Sequence, residues 1–133
     1  MAALQVLTAR PKRAARLTRN SKLFKIIISA IRQKKGENII SLDLRKIPEA
    51  VADFFIVCEA PSNIQVRTIA DTIEHEVKIQ TGELPYRHEG HQALQWVLID
   101  YVNIVVHIFQ PETRKFYKLE EMWNDGGLVE HES

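Results

Sequence analysis

Residues 95–123 constrain the fold of this chain more than any other stretch, because they hold the longest apolar run and both tryptophans. Two segments of this stretch, Trp96–Tyr101 and Ile104–Phe109, are rich in β-branched and aromatic residues and therefore favour strands. Val102 and Asn103 remain as the connection, so the pattern predicts a β-hairpin. Its register is defined by three facing pairs: Tyr101 with Ile104, Ile99 with Val106, and Val97 with Ile108.

The two faces of the predicted hairpin differ in their chemistry, because side chains alternate along a strand. One face is almost purely apolar and belongs under helices; it holds Val97, Ile99, Tyr101, Ile104, Val106 and Ile108. The opposite face is apolar too, but it includes an acid and an imidazole; it holds Trp96, Leu98, Asp100, Val105, His107 and Phe109. A mixed surface of this kind either receives a second cover or binds a partner.

The segments before the hairpin predict two helices and three further strands. The first helix spans about residues 20–35 and carries an apolar stripe. The second helix follows Ser62, which forms a capping box with Gln65, and it ends near Gly82. The strands are Ile39–Leu44, Asp53–Ala60 and Leu84–Glu89; the apolar helix positions are Leu23, Phe24, Ile27, Ala30 and Ile31 in the first helix, and Val66, Ile69, Ala70, Ile73 and Val77 in the second.

Pro111 is well placed in the first turn of a last helix, in which Phe116, Leu119 and Trp123 recur at helical spacing. The chain of 133 residues is long enough to bury its own core. The predicted fold is therefore α/β: a single domain over residues 20–125 with a mixed five-stranded sheet and about three helices. Residues 126–133 are predicted to be an acidic tail that frays.

The basic residues are distributed unevenly along the chain. Five of them lie within residues 1–19, a segment without acids; the first acid of the chain is Glu37. Removing these five from the 18 basic residues leaves 13 against 17 acidic ones, so the body of the protein has a net charge of −4. An acidic body argues against a general binder of phosphate backbones. Residues 1–19 are predicted to be a mobile basic extension; contact with RNA and organellar targeting are the alternatives.

The composition also bounds the environment. A single cysteine, Cys58, excludes an intramolecular disulfide and a zinc site of several cysteines. A reducing, intracellular setting follows as the simple interpretation. The apolar runs are shorter than the roughly 18 residues that a membrane span requires, so a soluble protein without a membrane partner is expected.

Nucleotidyl transfer is the enzymatic function to test, because a small mixed sheet can hold two metal ions on strand-borne acids. That chemistry requires two carboxylates at alternate positions of one strand. Each candidate acid is instead followed two positions later by a non-acidic residue: Asp43 by Arg45, Asp53 by Phe55, and Asp100 by Val102. The sequence therefore predicts no catalytic residue, and no glycine-rich loop for a nucleotide cofactor is found.

The histidines and the cysteine give no clear site either. His88 and His91 are the one closely spaced pair of histidines, and they have no third ligand nearby in the sequence. Cys58 lies in an apolar strand, where a thiol behaves as a small hydrophobic group. We therefore expect no metal and no cofactor.

Several segments together resemble the ribosomal silencing factor family, also called Iojap-like. These segments are ADFFIV, SNIQVRTIADTIE, the HEG of His88 to Gly90, WVLIDY, VVHIF, PETRKFYKLEEMW and the closing Asn124-Asp125. The resemblance covers most of the chain from about Leu23, and residues 1–19 lie outside it. The chain departs from the family at Val102-Asn103, where similar proteins place Gly-Asp; valine resists the positive φ of a tight hairpin turn.

The resemblance implies a nucleotidyltransferase-like fold without transferase activity. It further implies a cytoplasmic bacterial protein, or one of an organelle matrix, that binds the large ribosomal subunit through its fourteenth ribosomal protein. Binding there would block the joining of the small subunit and lower translation. The alternative from another class is an active nucleotidyltransferase that uses Mg²⁺ and a nucleoside triphosphate.

We expect the mixed face of the hairpin to form the partner-binding surface, since exposed tryptophan within an apolar patch is typical of interface hot spots. Two further partners remain open: a second copy of the chain on the same surface, and ribosomal RNA bound by the basic extension. The predicted contact residues are Trp96, Leu98, His107 and Phe109, rimmed by Arg87, Glu89 and Asp100.

Overall fold

The computed structural model of the chain describes residues 17–48, 50, 52–123 and 127–132. Over this part of the chain, four helices and six strands follow one another in the order α1-β1-β2-α2-β3-β4-β5-α3-α4-β6. The helices are α1 (Lys22–Gln33), α2 (Asn63–Thr81), α3 (Pro111–Tyr117) and α4 (Leu119–Trp123). The strands are β1 (Glu37–Asp43), β2 (Phe54–Glu59), β3 (Arg87–Glu89), β4 (Trp96–Asp100), β5 (Ile104–Phe109) and β6 (Leu128–His131). No described helix is both long and apolar enough to cross a bilayer.

All six strands form one mixed sheet in the order β3-β4-β5-β2-β1-β6. β2 and β5 run parallel, and every other neighbouring pair runs antiparallel. The predicted α/β class is confirmed, but the predicted count of five strands is wrong. The expected frayed tail contributes the sixth, because Leu128–His131 pairs with β1 and so satisfies an edge whose N–H and C=O groups would otherwise be unpaired.

The hairpin of β4 and β5 has the predicted register. Val97 faces Ile108 and Ile99 faces Val106, while the Tyr101 N–H donates to the Ile104 carbonyl at 2.8 Å. The apolar face of this hairpin lies in the core beneath α1 and α2, together with the buried stripes of both helices. The prediction that this face is covered by helices is therefore confirmed.

The hairpin connection is a γ-turn centred on Val102, which explains how the register survives without glycine. The Asn103 N–H donates to the Tyr101 carbonyl at 2.9 Å, and Val102 has a φ of 73°. This backbone conformation is strained for a β-branched residue. Two buried carboxylates hold it in place: Asp100 accepts from the Val102 N–H and Asp53 accepts from the Asn103 side-chain amide, both at 2.8 Å.

Helix α2 begins and ends at the residues that the sequence indicated. The Ser62 hydroxyl accepts a hydrogen bond from the Gln65 N–H at 3.1 Å, so the predicted N-cap is present. The Gln65 side chain does not close the capping box; it donates to the carbonyls of Lys34 and Lys35 and so joins α2 to the end of α1. Gly82 ends the helix in the left-handed conformation, with a φ of 78°.

The last residues of the predicted basic extension contact the folded domain. Residues 1–16 lie outside the described part of the chain. Leu17 and Arg19 do not extend away from the domain: the Leu17 N–H donates to Asp53 Oδ2 and Arg19 Nε donates to Ser41 Oγ, each at 2.8 Å. Contacts with the sheet therefore begin at Leu17, inside the segment 1–19 that was predicted to be a basic extension.

The predicted last helix is divided in two at Lys118. This residue adopts a left-handed conformation with a φ of 49°, and its N–H donates to the Arg114 carbonyl. The break rotates α4 relative to α3, so Leu119 is buried whereas Phe116 is 77% exposed. The prediction that Phe116, Leu119 and Trp123 lie on one continuous helix is therefore wrong.

Replacing Lys118 by glycine should stabilise the protein by about 1 kcal/mol, because glycine adopts the left-handed conformation without the steric cost that an L side chain has. The exposed Lys115, which lies inside α3, provides the matched control. Glycine at that position should lower the free energy of unfolding by about 1 kcal/mol. Urea denaturation of both variants measures the two effects. If both substitutions change the free energy of unfolding in the same direction, the assignment of backbone strain to Lys118 is contradicted.

Candidate partner-binding surface

The mixed face of the hairpin lies on the side of the sheet away from α1 and α2, and the chain itself covers most of it. Leu98, Asp100, His107 and Phe109 are all buried. The prediction that these four side chains contact a partner directly is therefore corrected. The physical reason is a second layer, which buries this face as a second core; it includes Leu44, Ala50, Ala52 and Leu119.

Trp96 is the residue of this face that remains accessible, and its half-buried side chain is held on three sides. The indole Nε1 donates to His107 Nδ1 at 3.1 Å. The indole ring stacks on Phe109 with a centroid distance of 4.8 Å and a tilt of 30°. On another side it meets Tyr117 of α3, also at 4.8 Å. These contacts fix the orientation of the indole before any partner binds.

His107 positions Trp96 and does not act as a titrating contact. Its side chain is fully buried, and desolvation lowers its pKa from 6.5 to about 3. The indole N–H can only donate, so Nδ1 of the neutral imidazole is the acceptor and the ring proton lies on Nε2. The ring also meets the edge of Phe55 at a centroid distance of 4.7 Å. His107 is thus a structural residue beneath the tryptophan.

Two further aromatic side chains extend the accessible surface from Trp96 onto α3. Tyr117 is 38% exposed and Phe116 is 77% exposed, and their rings meet edge to face at 4.9 Å. We call Trp96, Phe116 and Tyr117 the aromatic patch. The sequence pattern placed Phe116 at helical spacing with Leu119 and Trp123 and did not single out Tyr117. The one available signal was their adjacency, because neighbouring helix residues point in different directions and cannot both join one buried stripe.

Charged residues of β3 rim the same face of the sheet. Glu89 pairs with Leu98 and Arg87 pairs with Asp100, and facing residues of an antiparallel pair lie on the same side. Arg87 and Glu89 are partly or fully accessible. The Arg87 guanidinium carbon lies 5.4 Å from the centre of the Tyr86 ring. The structure therefore keeps these two predicted rim residues on the predicted face.

A half-buried ion-pair network holds α3 against the sheet and so positions the aromatic patch. Arg114 lies one turn before Lys118 and is 11% exposed. Its Nη1 contacts Glu59 of β2 at 3.0 Å, and its Nε contacts Glu120 of α4 at 3.1 Å. Nη1 also donates to the Asn38 carbonyl at 2.8 Å. One guanidinium thus joins β1, β2, α3 and α4.

The three acids considered for nucleotidyl transfer, Asp43, Asp53 and Asp100, do not form a site for two metal ions. Arg45 binds Asp43 with distances of 2.7 and 3.0 Å, and this hydrogen bonding holds the pKa of the Asp43 carboxyl below its ordinary value. Asp53 accepts from Leu17 and Asn103. Asp100 is fully buried and caps the γ-turn. These contacts give each acid a role in the fold.

Cys58 lies in β2 with no exposed surface. Burial raises the pKa of its thiol to about 12, so the thiolate that a nucleophile requires is not formed near neutral pH. The predicted behaviour of this residue as a small hydrophobic group is confirmed.

Comparison with known proteins gives a consistent answer. The profile described as "Ribosomal silencing factor during starvation" matches residues 18–133. The chain belongs to the ribosomal silencing factor family. It is 36% identical over 113 residues to the ribosomal silencing factor RsfS of Halalkalibacterium halodurans, covering 85% of this chain and 95% of that protein. It is 35% identical to the RsfS of Bacillus subtilis, covering 81% of this chain and 90% of that protein.

A crystal structure of a Chromobacterium violaceum protein has a similar fold, with a TM-score of 0.73 at 33% identity. The alignment covers 80% of this chain and 85% of that one. The resemblance to the ribosomal silencing factors that the sequence indicated is therefore confirmed. The matched family region begins at Thr18 and includes β6, so it takes in the segment that the sequence assigned to a frayed tail.

Proposed function

We propose that this protein represses translation by binding the large ribosomal subunit through its fourteenth ribosomal protein, which blocks the joining of the small subunit. The aromatic patch is the observation that carries this proposal, in a chain that belongs to the ribosomal silencing factors. Blocking by occupancy makes and breaks no covalent bond, so we propose that the protein is not an enzyme. The nucleotidyltransferase-like class of the fold stays a prediction.

The partner-binding surface proposed here differs from the one that the sequence indicated. Its centre is the aromatic patch, its rim is Arg87 and Glu89, and the buried Leu98, Asp100, His107 and Phe109 form its floor. Aromatic side chains that are already fixed in place lose little conformational entropy on binding. A rim of two opposite charges selects the orientation of a partner more than it adds to affinity.

Replacing Phe116 by glutamate should weaken binding to isolated large subunits by about 30-fold or more, as expected for the loss of a hot-spot aromatic side chain of at least about 2 kcal/mol. Phe116 is 77% exposed, so the fold should tolerate the charge. Co-sedimentation with large subunits over a range of protein concentrations measures the change.

Ile79 provides the matched control, because it is 64% exposed but belongs to α2 on the other side of the sheet. The variant Ile79→Glu should bind as the parent protein does. If Phe116→Glu also binds as the parent does, the aromatic patch is not the contact surface.

A homodimer formed through the same patch is the competing outcome. Light scattering of the free protein at micromolar concentration distinguishes the two, because a dimer that persists in Ile79→Glu and dissociates in Phe116→Glu would assign the patch to self-association. Contact of the basic extension with ribosomal RNA would appear as a steep fall of affinity with salt and with removal of residues 1–16.

Nucleotidyl transfer remains the alternative from another class of function. Turnover of a nucleoside triphosphate in the presence of Mg²⁺ would support it and contradict the roles given above to Asp43, Asp53 and Asp100.

We propose the bacterial cytoplasm as the location of the protein, since the relatives from H. halodurans and B. subtilis are bacterial proteins named for ribosome silencing. An organelle matrix is the alternative.

A further inference from the structure

Three side chains with metal-binding atoms meet on the side of the sheet away from the aromatic patch. Glu74 projects from α2, His88 lies in β3, and His91 follows two residues after that strand ends. Glu74 Oε2 lies 3.1 Å from His88 Nδ1 and 3.3 Å from His91 Nε2. One ligand atom from each residue can be chosen so that all three lie within 4.8 Å of one another.

These separations match those that a small cation imposes on its ligands. Two ligand atoms at about 2.0 Å from a tetrahedral zinc ion are separated by about 3.3 Å. The two measured carboxylate–imidazole distances, 3.1 and 3.3 Å, agree with this value. The two imidazole rings lie beside each other with centroids 4.3 Å apart, and their ligand nitrogens lie within 4.8 Å of each other.

The state of the His91 ring is a second, independent observation. The side chain is 27% exposed, but both of its ring nitrogens are buried, and neither has a hydrogen-bond partner among the described residues; the 3.3 Å approach of Nε2 to Glu74 lacks hydrogen-bond geometry. A buried polar atom without a partner costs about 1–3 kcal/mol. A metal ion at Nε2 would use one of these lone pairs.

The turn that carries both histidines is held rigidly by Gly90. This residue has a φ of 90°, and a Cβ placed on it would lie 2.0 Å from the Trp96 carbonyl oxygen. The Leu94 N–H donates to the Gly90 carbonyl at 2.9 Å. The backbone between the two imidazoles is therefore fixed by its contact with β4. Preorganised ligands of this kind favour metal binding over a mobile pair of surface histidines.

We propose that Glu74, His88 and His91 form a binding site for a divalent transition-metal ion of the zinc type, with a fourth position open to water. Two imidazoles and one carboxylate are a ligand set that zinc accepts in proteins. The ion would join the short edge strand β3 to α2. The sequence could not indicate this site, because the third ligand lies 14 residues before His88 on another element.

Glu74 is the one negatively charged ligand of the proposed site. Arg67 donates to the His91 carbonyl at 3.4 Å, which brings one positive charge near the turn. The Glu74 carboxylate supplies the opposing negative charge directly at the ligand position. Two neutral imidazoles with one carboxylate leave a net charge of +1 on a zinc complex.

Zinc titration of the protein without an affinity tag tests the proposal. Competition against a chromophoric chelator should give one site per chain, and Co²⁺ in place of zinc should give the visible absorption of a site with nitrogen and oxygen ligands. The variants His88→Ala, His91→Ala and Glu74→Gln should each weaken zinc binding by about 100-fold or more, because each loses one of three protein ligands.

His75 is the matched control, since it is an exposed histidine next to Glu74 on α2. The variant His75→Ala should bind zinc as the parent does. Zinc should also raise the melting temperature of the parent and of His75→Ala, and leave that of His91→Ala unchanged. Absence of zinc binding by the parent, or equal binding by the three ligand variants and His75→Ala, would overturn the proposal and leave Glu74, His88 and His91 as an ordinary polar contact between helix and strand.

Discussion

Replacing Gly90 by alanine is expected to lower the free energy of unfolding by about 3 kcal/mol or more. The new methyl group would lie 2.0 Å from the Trp96 carbonyl oxygen and 3.0 Å from its carbonyl carbon, so the backbone of the turn or of β4 has to move. Gly90 also has a φ of 90°, which costs an L residue about 1–3 kcal/mol by itself. Urea denaturation followed by circular dichroism measures the loss.

Gly82 separates the two causes of that loss. It has a φ of 78°, but no atom of the described residues lies within 4 Å of the position that a Cβ would occupy. The variant Gly82→Ala should therefore lose only about 1 kcal/mol, from backbone strain alone. Equal losses at both glycines would show that the close approach of Gly90 to Trp96 is not important for stability.

Acid should destabilise this protein through His107 before most carboxylates titrate. Burial lowers the pKa of His107 to about 3 in the folded chain, whereas an unfolded histidine titrates near pH 6.5. The unfolded chain therefore binds the proton first, and stability that is fully present above pH 6.5 is lost as the pH falls toward 3. Between pH 6.5 and pH 4 the loss should amount to about 3 kcal/mol.

The variant His107→Gln tests this assignment, because glutamine can still accept from the Trp96 indole but does not titrate. The difference in unfolding free energy between pH 7 and pH 4 should shrink by about 3 kcal/mol relative to the parent. The exposed His75 serves as the control, and His75→Gln should retain the parental pH dependence. An unchanged pH dependence in His107→Gln would contradict the assignment. His131, whose pKa is also lowered by burial, contributes with the same sign in both variants.

The parts of the fold that the sequence predicted well are those in which local pattern and tertiary packing agree. The alternation in β4 and β5 identified both hairpin faces, since each face enters a core and a shift of one residue would exchange them. Ser62 and Gly82 predicted the ends of α2 because a cap residue acts on its own helix. Even the unfavourable Val102 did not change the register, since buried Asp100 and Asp53 stabilise the turn.

The features that the sequence missed depend on contacts between distant segments. Phe116 is exposed because the Arg114 network and Lys118 break the last helix, and no local spacing reports such a break. β6 forms because β1 offers a free edge, although its own four residues have only weak strand signals. The second layer over the mixed face includes Leu44, Ala50 and Ala52, which come from a segment without a regular sequence pattern. Because this layer covers the mixed face, four residues that were predicted to contact a partner are instead buried beneath the smaller aromatic patch.

The burial of Cys58 has a practical consequence for following complex formation. Because the chain has no other cysteine, a single thiol placed on the surface would be the one that reacts with a maleimide dye under native conditions. Val129 is a suitable position: it is 39% exposed and lies on β6, four strand spacings or about 19 Å from β4. A fluorophore at position 129 would report the slower rotation of the protein once it is bound to a ribosomal particle. It would leave the surface around Trp96 unobstructed.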